Sequence, residues 1–255
     1  MMKFLTQSAG SLVPQRGAVP RIVGHAPPNY RQNALTVKRE WTDIENPYPR
    51  FPCMIVADAS SSMEGLFIRL LNEGLQNLGT YVRKNTIAAR SAELAIIRVG
   101  HPLEVFTDFT PADRFYPGDL RAYGNTPLAE GILMAIQLTE ERLRRYEDFD
   151  FEWFRPWILV ISDGEPIRSN AIPEAIREVH RVECQEEIAV FAVGINAHAT
   201  KKLQEFTVRK AEELDRFSFD RLFRWVSEQI ILVSQSMPGE EPEGPDMSEA
   251  DWHKQ

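Results

Sequence analysis

Five oxygen-bearing side chains stand where apolar runs give way to polar ones. Asp58, Ser60 and Ser62 lie in VADASSSMEG, Thr126 in YGNTPL and Asp163 in ISDGEP. Two carboxylates and three hydroxyls offer only oxygen. That set suits a hard divalent cation such as Mg²⁺ or Mn²⁺, which takes oxygen donors and keeps several waters. With few charges and neutral hydroxyls among its donors such an ion is left under-neutralised, so it should attract a carboxylate from outside. Each segment also has a purely structural reading. Ser61 and Glu64 have the S-x-x-E spacing of a capping box, Thr126 before Pro127 has the form of an N-cap, and Asp163-Gly164 is a common turn pair. Whether the three segments meet decides between the readings.

The elements that must position them are legible as alternating patterns. Apolar runs of strand length recur at 53–58, 93–100, 103–109, 157–163 and 187–195, several rich in Val and Ile. Between most of them the spacing is helical. Phe67, Leu71, Leu75, Leu78 and Val82 form one stripe over 64–84, and Leu128, Ile132, Ile136 and Leu143 another over 127–146, with Arg142, Arg144 and Arg145 outward. Shorter stripes follow at Ile176 and Val179 in 173–182, and at Leu222, Phe223, Val226, Ile230 and Val233 in 219–233. Strands separated by helices predict an α/β fold: a doubly wound, mostly parallel sheet with helices on both faces. Only His101 and Pro102 separate the second and third runs. That is too short for a crossover and predicts one antiparallel edge strand. In such sheets ligands bind beyond the carboxyl ends of the strands, which is where all three polar segments fall.

The set D-x-S-x-S after a buried strand, then G-x-T-P, then a strand-ending Asp, resembles the metal-ion-dependent adhesion site of von Willebrand factor A domains. NPYPRFPC, LNEGL, GNTPLAEGI, FRPWILVISDGEP, FAVGI and FRWVSEQI narrow the resemblance to the TerY-type branch, cytoplasmic bacterial proteins linked to tellurite resistance. It runs from about Asn46 to Gly239. It implies that Ser60, Ser62 and Thr126 contact Mg²⁺ or Mn²⁺ directly or nearly so, that Asp58 and Asp163 act largely through water, and that a partner's Glu or Asp takes the sixth position. It also implies an adaptor or scaffold for stress-response signalling with a Ser/Thr kinase and a PP2C-type phosphatase. A distinct alternative is an adaptor subunit of an AAA-type ATPase. One departure stands out: the family usually reads D-T-S-G-S, whereas Ala59 and Ser61 replace the Thr and Gly here. If the backbone at 61 needs positive φ, serine would strain it and weaken the metal site.

Catalytic readings fare poorly. A dehalogenase-type phosphotransferase would need a second Asp two residues after Asp58, where Ser60 stands. A serine nucleophile would need a positioned base, and the five histidines, at 25, 101, 180, 198 and 253, have no motif context. There is no P-loop. The chain is expected not to be an enzyme.

Composition bounds the rest. The 255 residues are 43% apolar and 26% charged, with net charge −8, an ordinary globular balance. Residues 1–50 carry seven basic and three acidic residues, a local +4 that leaves −12 for the remainder. That argues against nucleic acid as a partner of the main body. No stretch approaches the roughly 20 apolar residues of a membrane helix and the start has no signal-peptide core, so no membrane partner and a cytoplasmic location are expected. Cys53 and Cys184 lack metal spacing and read as reduced structural thiols. The expected organisation is an N-terminal extension at 1–47, the A-type domain at 48–237 and an acidic flexible tail at 238–255. Glu240, Glu241 or Glu243 of that tail could compete for the metal site.

Overall fold

The computed structural model describes residues 46–164, 166–214 and 218–240. The extension before Asn46 and the tail from residue 241 lie outside the described residues, as do His25, His253 and Trp252. The elements in chain order are β1 (Phe51–Asp58), α1 (Leu66–Arg83), α2 (Thr86–Ser91), β2 (Ala92–Val99), β3 (Glu104–Pro111), α3 (Leu128–Asp148), β4 (Trp157–Ser162), α4 (Ile172–Cys184), β5 (Ala189–Gly194), α5 (Ala197–Leu203), β6 (Glu212–Glu213) and α6 (Phe219–Ser234).

The strands form one sheet in the order β3-β2-β1-β4-β5-β6. Every neighbouring pair is parallel except β2 with β3, whose short connection forces the expected antiparallel edge. β1 is buried on both faces and reads as a continuous apolar run for that reason. Its period of two sorts the core. Phe51, Cys53, Ile55 and Ala57 face the layer filled by α1 and α6, while Met54 and Val56 face the layer filled by α3 and α4. The helical stripes supply the other half of each layer: Leu71, Leu75, Leu78 and Val82 from α1, with Leu222, Phe223, Val226 and Ile230 from α6 on the first side. Leu128, Ile132 and Ile136 from α3, with Val179 and Val182 from α4, fill the second.

Three features differ from the sequence expectations. α2, α5 and β6 are too short to carry a periodic signal and were not foreseen. The stripe on α3 does not continue to Leu143; it runs through Thr139, Arg142 and Tyr146, all buried. Arg142 is therefore inside, not outward, because the helix axis carries it over the sheet where Glu93 of β2 supplies a counter-charge. Both cysteines are free: Cys53 is enclosed, and burial pushes its thiol up to about 12, while Cys184 is exposed at the end of α4.

Candidate metal centre

Strand order reverses between β1 and β4, since β1 leads outward to β2 on one side and β4 leads outward to β5 on the other. A crevice opens at the carboxyl end of such a switch point. Asp58 ends β1 there, and Asp163 follows the last residue of β4.

Asp58 is wholly buried. One carboxylate oxygen accepts the Ser60 N–H at 2.9 Å, and the other accepts the Ser162 hydroxyl at 2.5 Å. The Ser60 and Ser62 hydroxyls lie 2.9 Å apart, and Ser62 donates to Asp163 Oδ1 at 2.8 Å. Thus the first and third polar segments are joined side chain to side chain. Thr126 enters from the second: a β-carbon placed on Gly164 would sit 3.5 Å from Ser62 Oγ and 4.0 Å from Thr126 Oγ1, so both hydroxyls flank one point. All five expected oxygen donors converge.

The local capping readings do not hold. Pro127, not Thr126, occupies the N-cap of α3, and no side chain caps that end. The Thr126 hydroxyl takes no hydrogen-bond partner among the described residues, although Thr126 is only 6% exposed. Nor do Ser61 and Glu64 form a capping box. Ser61 opens a short 3₁₀ turn, Ser61–Met63, and α1 begins after Gly65, whose φ of 90° supplies the left-handed step. Ser61 itself is not among the residues with positive φ, so serine there is unstrained. The expectation that it weakens the site through backbone strain is overturned.

Ser61 instead makes a two-bond clasp. Its N–H donates to the Gly124 carbonyl and its hydroxyl accepts the Gly124 N–H, both at 2.9 Å. Tyr123 N–H to Ala59 O, at 2.8 Å, adds a third tie between the same two loops. The clasp holds the segment before Thr126 against the Ser60–Ser62 loop. Removing its hydroxyl bond by Ser61→Ala should weaken Mn²⁺ affinity about three- to tenfold, since one net hydrogen bond contributes roughly 0.5–1.5 kcal/mol. Calorimetric titration checks this, and an unchanged affinity would show that the clasp does not set the site.

Sequence reading missed two further residues. Ser162 is reached only through the alternation of β4, which turns it toward Asp58. Asn196 caps α5 through its side-chain oxygen and donates its Nδ2 to the Asp163 carbonyl at 3.2 Å, fixing the third loop. An Asn followed by a short helical run was its only signal.

The electrostatics fit a cation. Burial raises the Asp58 carboxyl above its ordinary 3.8, opposed by the hydrogen bonds from Ser162 and Ser60. Burial also raises Asp163; the bond from Ser62 opposes this and the negative charge of Asp58 adds to it. Two carboxylates that disfavour each other's charge are relieved by a positive ion between them. No cluster of three or more His, Cys, Asp or Glu gathers among the described residues, so the donor set stays hydroxyl-rich and suits Mg²⁺ or Mn²⁺ over softer ions. Both folded-state values lie above the unfolded one, so protonation favours the fold, and that contribution is lost as pH rises through the raised values. Metal binding has the opposite preference. Mn²⁺ affinity should therefore begin to fall on acidification before pH 3.8 is reached. A titration series from about pH 7 to about pH 4 with constant affinity would contradict this.

No protein-family model matches the sequence, and a comparison with curated proteins finds no match. Solved structures do match. The vWF domain of the type V pili tip protein Mfa5 from Porphyromonas gingivalis superposes with a TM-score of 0.55 at 11% identity, covering 74% of this chain and 98% of that one. The pilus adhesin SpaC from Lactobacillus rhamnosus GG gives 0.56 at 12% identity, over 73% of this chain and 30% of its own. The PilB minor pilin from Streptococcus sanguinis gives 0.53 at 10%, over 72% and 62%. The chain thus spans nearly all of the first and under two thirds of the other two. At such identities the likeness is one of fold, and by strand order, edge strand and helix placement the chain carries the α/β fold of von Willebrand factor A domains.

Proposed function

We propose that this chain is a non-catalytic protein-binding module whose Mg²⁺ or Mn²⁺ completes its coordination with an Asp or Glu from another protein. The observation that carries the reading is the hydroxyl–carboxylate chain Ser60–Ser62–Asp163 beside buried Asp58 at the sheet's switch point. Ser60, Ser62 and Thr126 would hold the ion, with Asp58 and Asp163 acting through water and supplying the negative charge. The ion's chemistry would be electrostatic attraction for an incoming carboxylate. Three observations support a binding rather than a catalytic role. Ser60 stands where a phosphotransferase needs its second acid. No histidine among the described residues hydrogen-bonds Ser60 or Ser62, and the described histidines are exposed. The neutral hydroxyls leave the ion short of negative charge, which favours an external ligand over an activated water.

The finer setting rests on the motif resemblance alone: a cytoplasmic adaptor or scaffold of the TerY type, working with a Ser/Thr kinase or a PP2C-type phosphatase. Among the described residues no helix is long and apolar enough to cross a membrane. The test is affinity capture by the full chain from a bacterial lysate in Mn²⁺ and in chelator. Metal-dependent recovery of a kinase or phosphatase supports the whole reading, recovery of a hexameric ATPase redirects the partner, and capture indifferent to chelator removes the metal from it.

A further inference from the structure

The rim of the candidate metal centre carries groups that metal binding does not use. Tyr123 is 63% exposed and Ile167 38%. Tyr123 stands on the loop that carries Thr126 and Ile167 on the loop after β4, and both are pinned by backbone bonds. Tyr123 donates to Ala59 O at 2.8 Å and accepts from His101 N–H at 3.0 Å, while Ile167 donates to Thr126 O at 3.1 Å. Large apolar side chains on mobile loop tips are ordinary; held in register with a binding site, they act as fixed contact points. Two cations accompany them. Arg121, two residues before Tyr123, and Arg168, next to Ile167, are both exposed, and neither forms an ion pair among the described residues. Glu64 is the exposed acid on the first loop. Asp119 on the second loop is exposed as well and accepts from Gln76 at 3.0 Å, and Glu165 of the third lies outside the described residues, so positive charge sits at two points on these loops, Arg121 and Arg168, in a chain whose net charge is −8.

We propose that this rim selects an extended acidic segment of a partner protein: one whose metal-binding carboxylate is neighboured by a second acidic residue and by an apolar side chain. The inference rests on the metal-dependent capture proposed above. Arg121 and Arg168 meet the second acid, and Tyr123 and Ile167 cover the apolar side chain. Charges on an exposed rim act mainly on association rate and on salt dependence, whereas apolar contacts act on dissociation. The two pairs of residues thus have separable signatures.

The probe is an array of synthetic nine-residue peptides with a central Glu and systematically varied neighbours, bound to the full-length chain in Mn²⁺ and in chelator. Mn²⁺ affinity is measured in parallel by calorimetry. Metal-dependent binding should be about tenfold stronger for peptides with both a second acid and an aromatic or branched neighbour than for those with Gly and Ser around the Glu. Arg121→Ser with Arg168→Ser should erase the preference for the second acid and flatten the salt dependence of association. Tyr123→Ser with Ile167→Ser should erase the apolar preference and speed dissociation. If Mn²⁺ binds and peptides bind through the Glu whatever surrounds it, or if Mn²⁺ binds and no peptide does, this inference fails while the metal centre stands. If Mn²⁺ does not bind, both fail.

Discussion

Saturating Mn²⁺ should raise the melting temperature of the wild-type protein by about 5–10 °C, and Asp58→Asn should abolish that rise. A ligand at about 100 times its dissociation constant stabilises the folded state by roughly 2.7 kcal/mol, and a domain of this size gains about 2–4 °C for each kcal/mol. Asp58 is the residue on which this depends most, being wholly buried and close enough to Asp163 to raise its carboxyl. Asn keeps the shape and an acceptor oxygen for the Ser60 N–H, and the Ser162 hydroxyl can rotate to accept the new amide N–H. The variant therefore folds. Without metal it should melt no lower than wild type, because a buried, repelled negative charge has been removed. Opposite signs in the two conditions distinguish loss of a metal ligand from damage to the fold. Differential scanning fluorimetry with Mn²⁺ and with chelator reads both, and an equal Mn²⁺ shift in the two proteins would exclude Asp58 from the site.

The sequence made some of this legible for physical reasons that differ from residue to residue. Asp58 and Asp163 were readable because a carboxylate at the end of an apolar strand is costly and stands out against the run before it. The edge strand β3 was readable from chain length, since two residues cannot cross a sheet. Ser61 and Thr126 also fitted capping motifs, and the spacing alone did not separate that reading from the metal one for Thr126, because capping motifs are local patterns whereas the bonds these residues make or withhold are settled by loops that meet in space. Ser61 reaches Gly124, 63 positions away, and no spacing rule announces that. Ser162 and Asn196 act on the carboxylates through single hydrogen bonds and leave no periodic trace. The acid-bearing tail after Glu240 and the basic extension before Asn46, whose charges are plain in the sequence, fall outside the described residues.

Arg142 was misread for a reason that yields the other large effect. A third arginine in a run with Arg144 and Arg145 looks like a solvated face, yet it is 7% exposed. Its Nε donates to Glu93 Oε2 at 2.7 Å and to the Tyr146 hydroxyl at 3.1 Å, its Nη2 lies 2.5 Å from the same Glu93 oxygen, and the guanidinium rests over the Phe109 ring. The Tyr146 hydroxyl also donates to Glu93. Burial, reinforced by the negative Glu93, pushes the phenol up, so it stays a donor at neutral pH. Arg142→Met should cost about 3–5 kcal/mol in urea unfolding, because it leaves Glu93 buried with one neutral donor and no counter-charge. Adding Glu93→Leu should recover part of that loss, since the apolar pair carries no desolvation penalty of its own but leaves the buried Tyr146 hydroxyl without its two partners. A double variant as unstable as the single one would mean that shape, not charge, governs the cluster. The triad clamps the last turns of α3 to β2, and the same helix begins two residues after Thr126. If the double variant refolds α3 onto the sheet, its Mn²⁺ affinity should equal that of wild type. Recovered stability with lost affinity would instead show that the buried charges hold the helix at the height the metal centre needs.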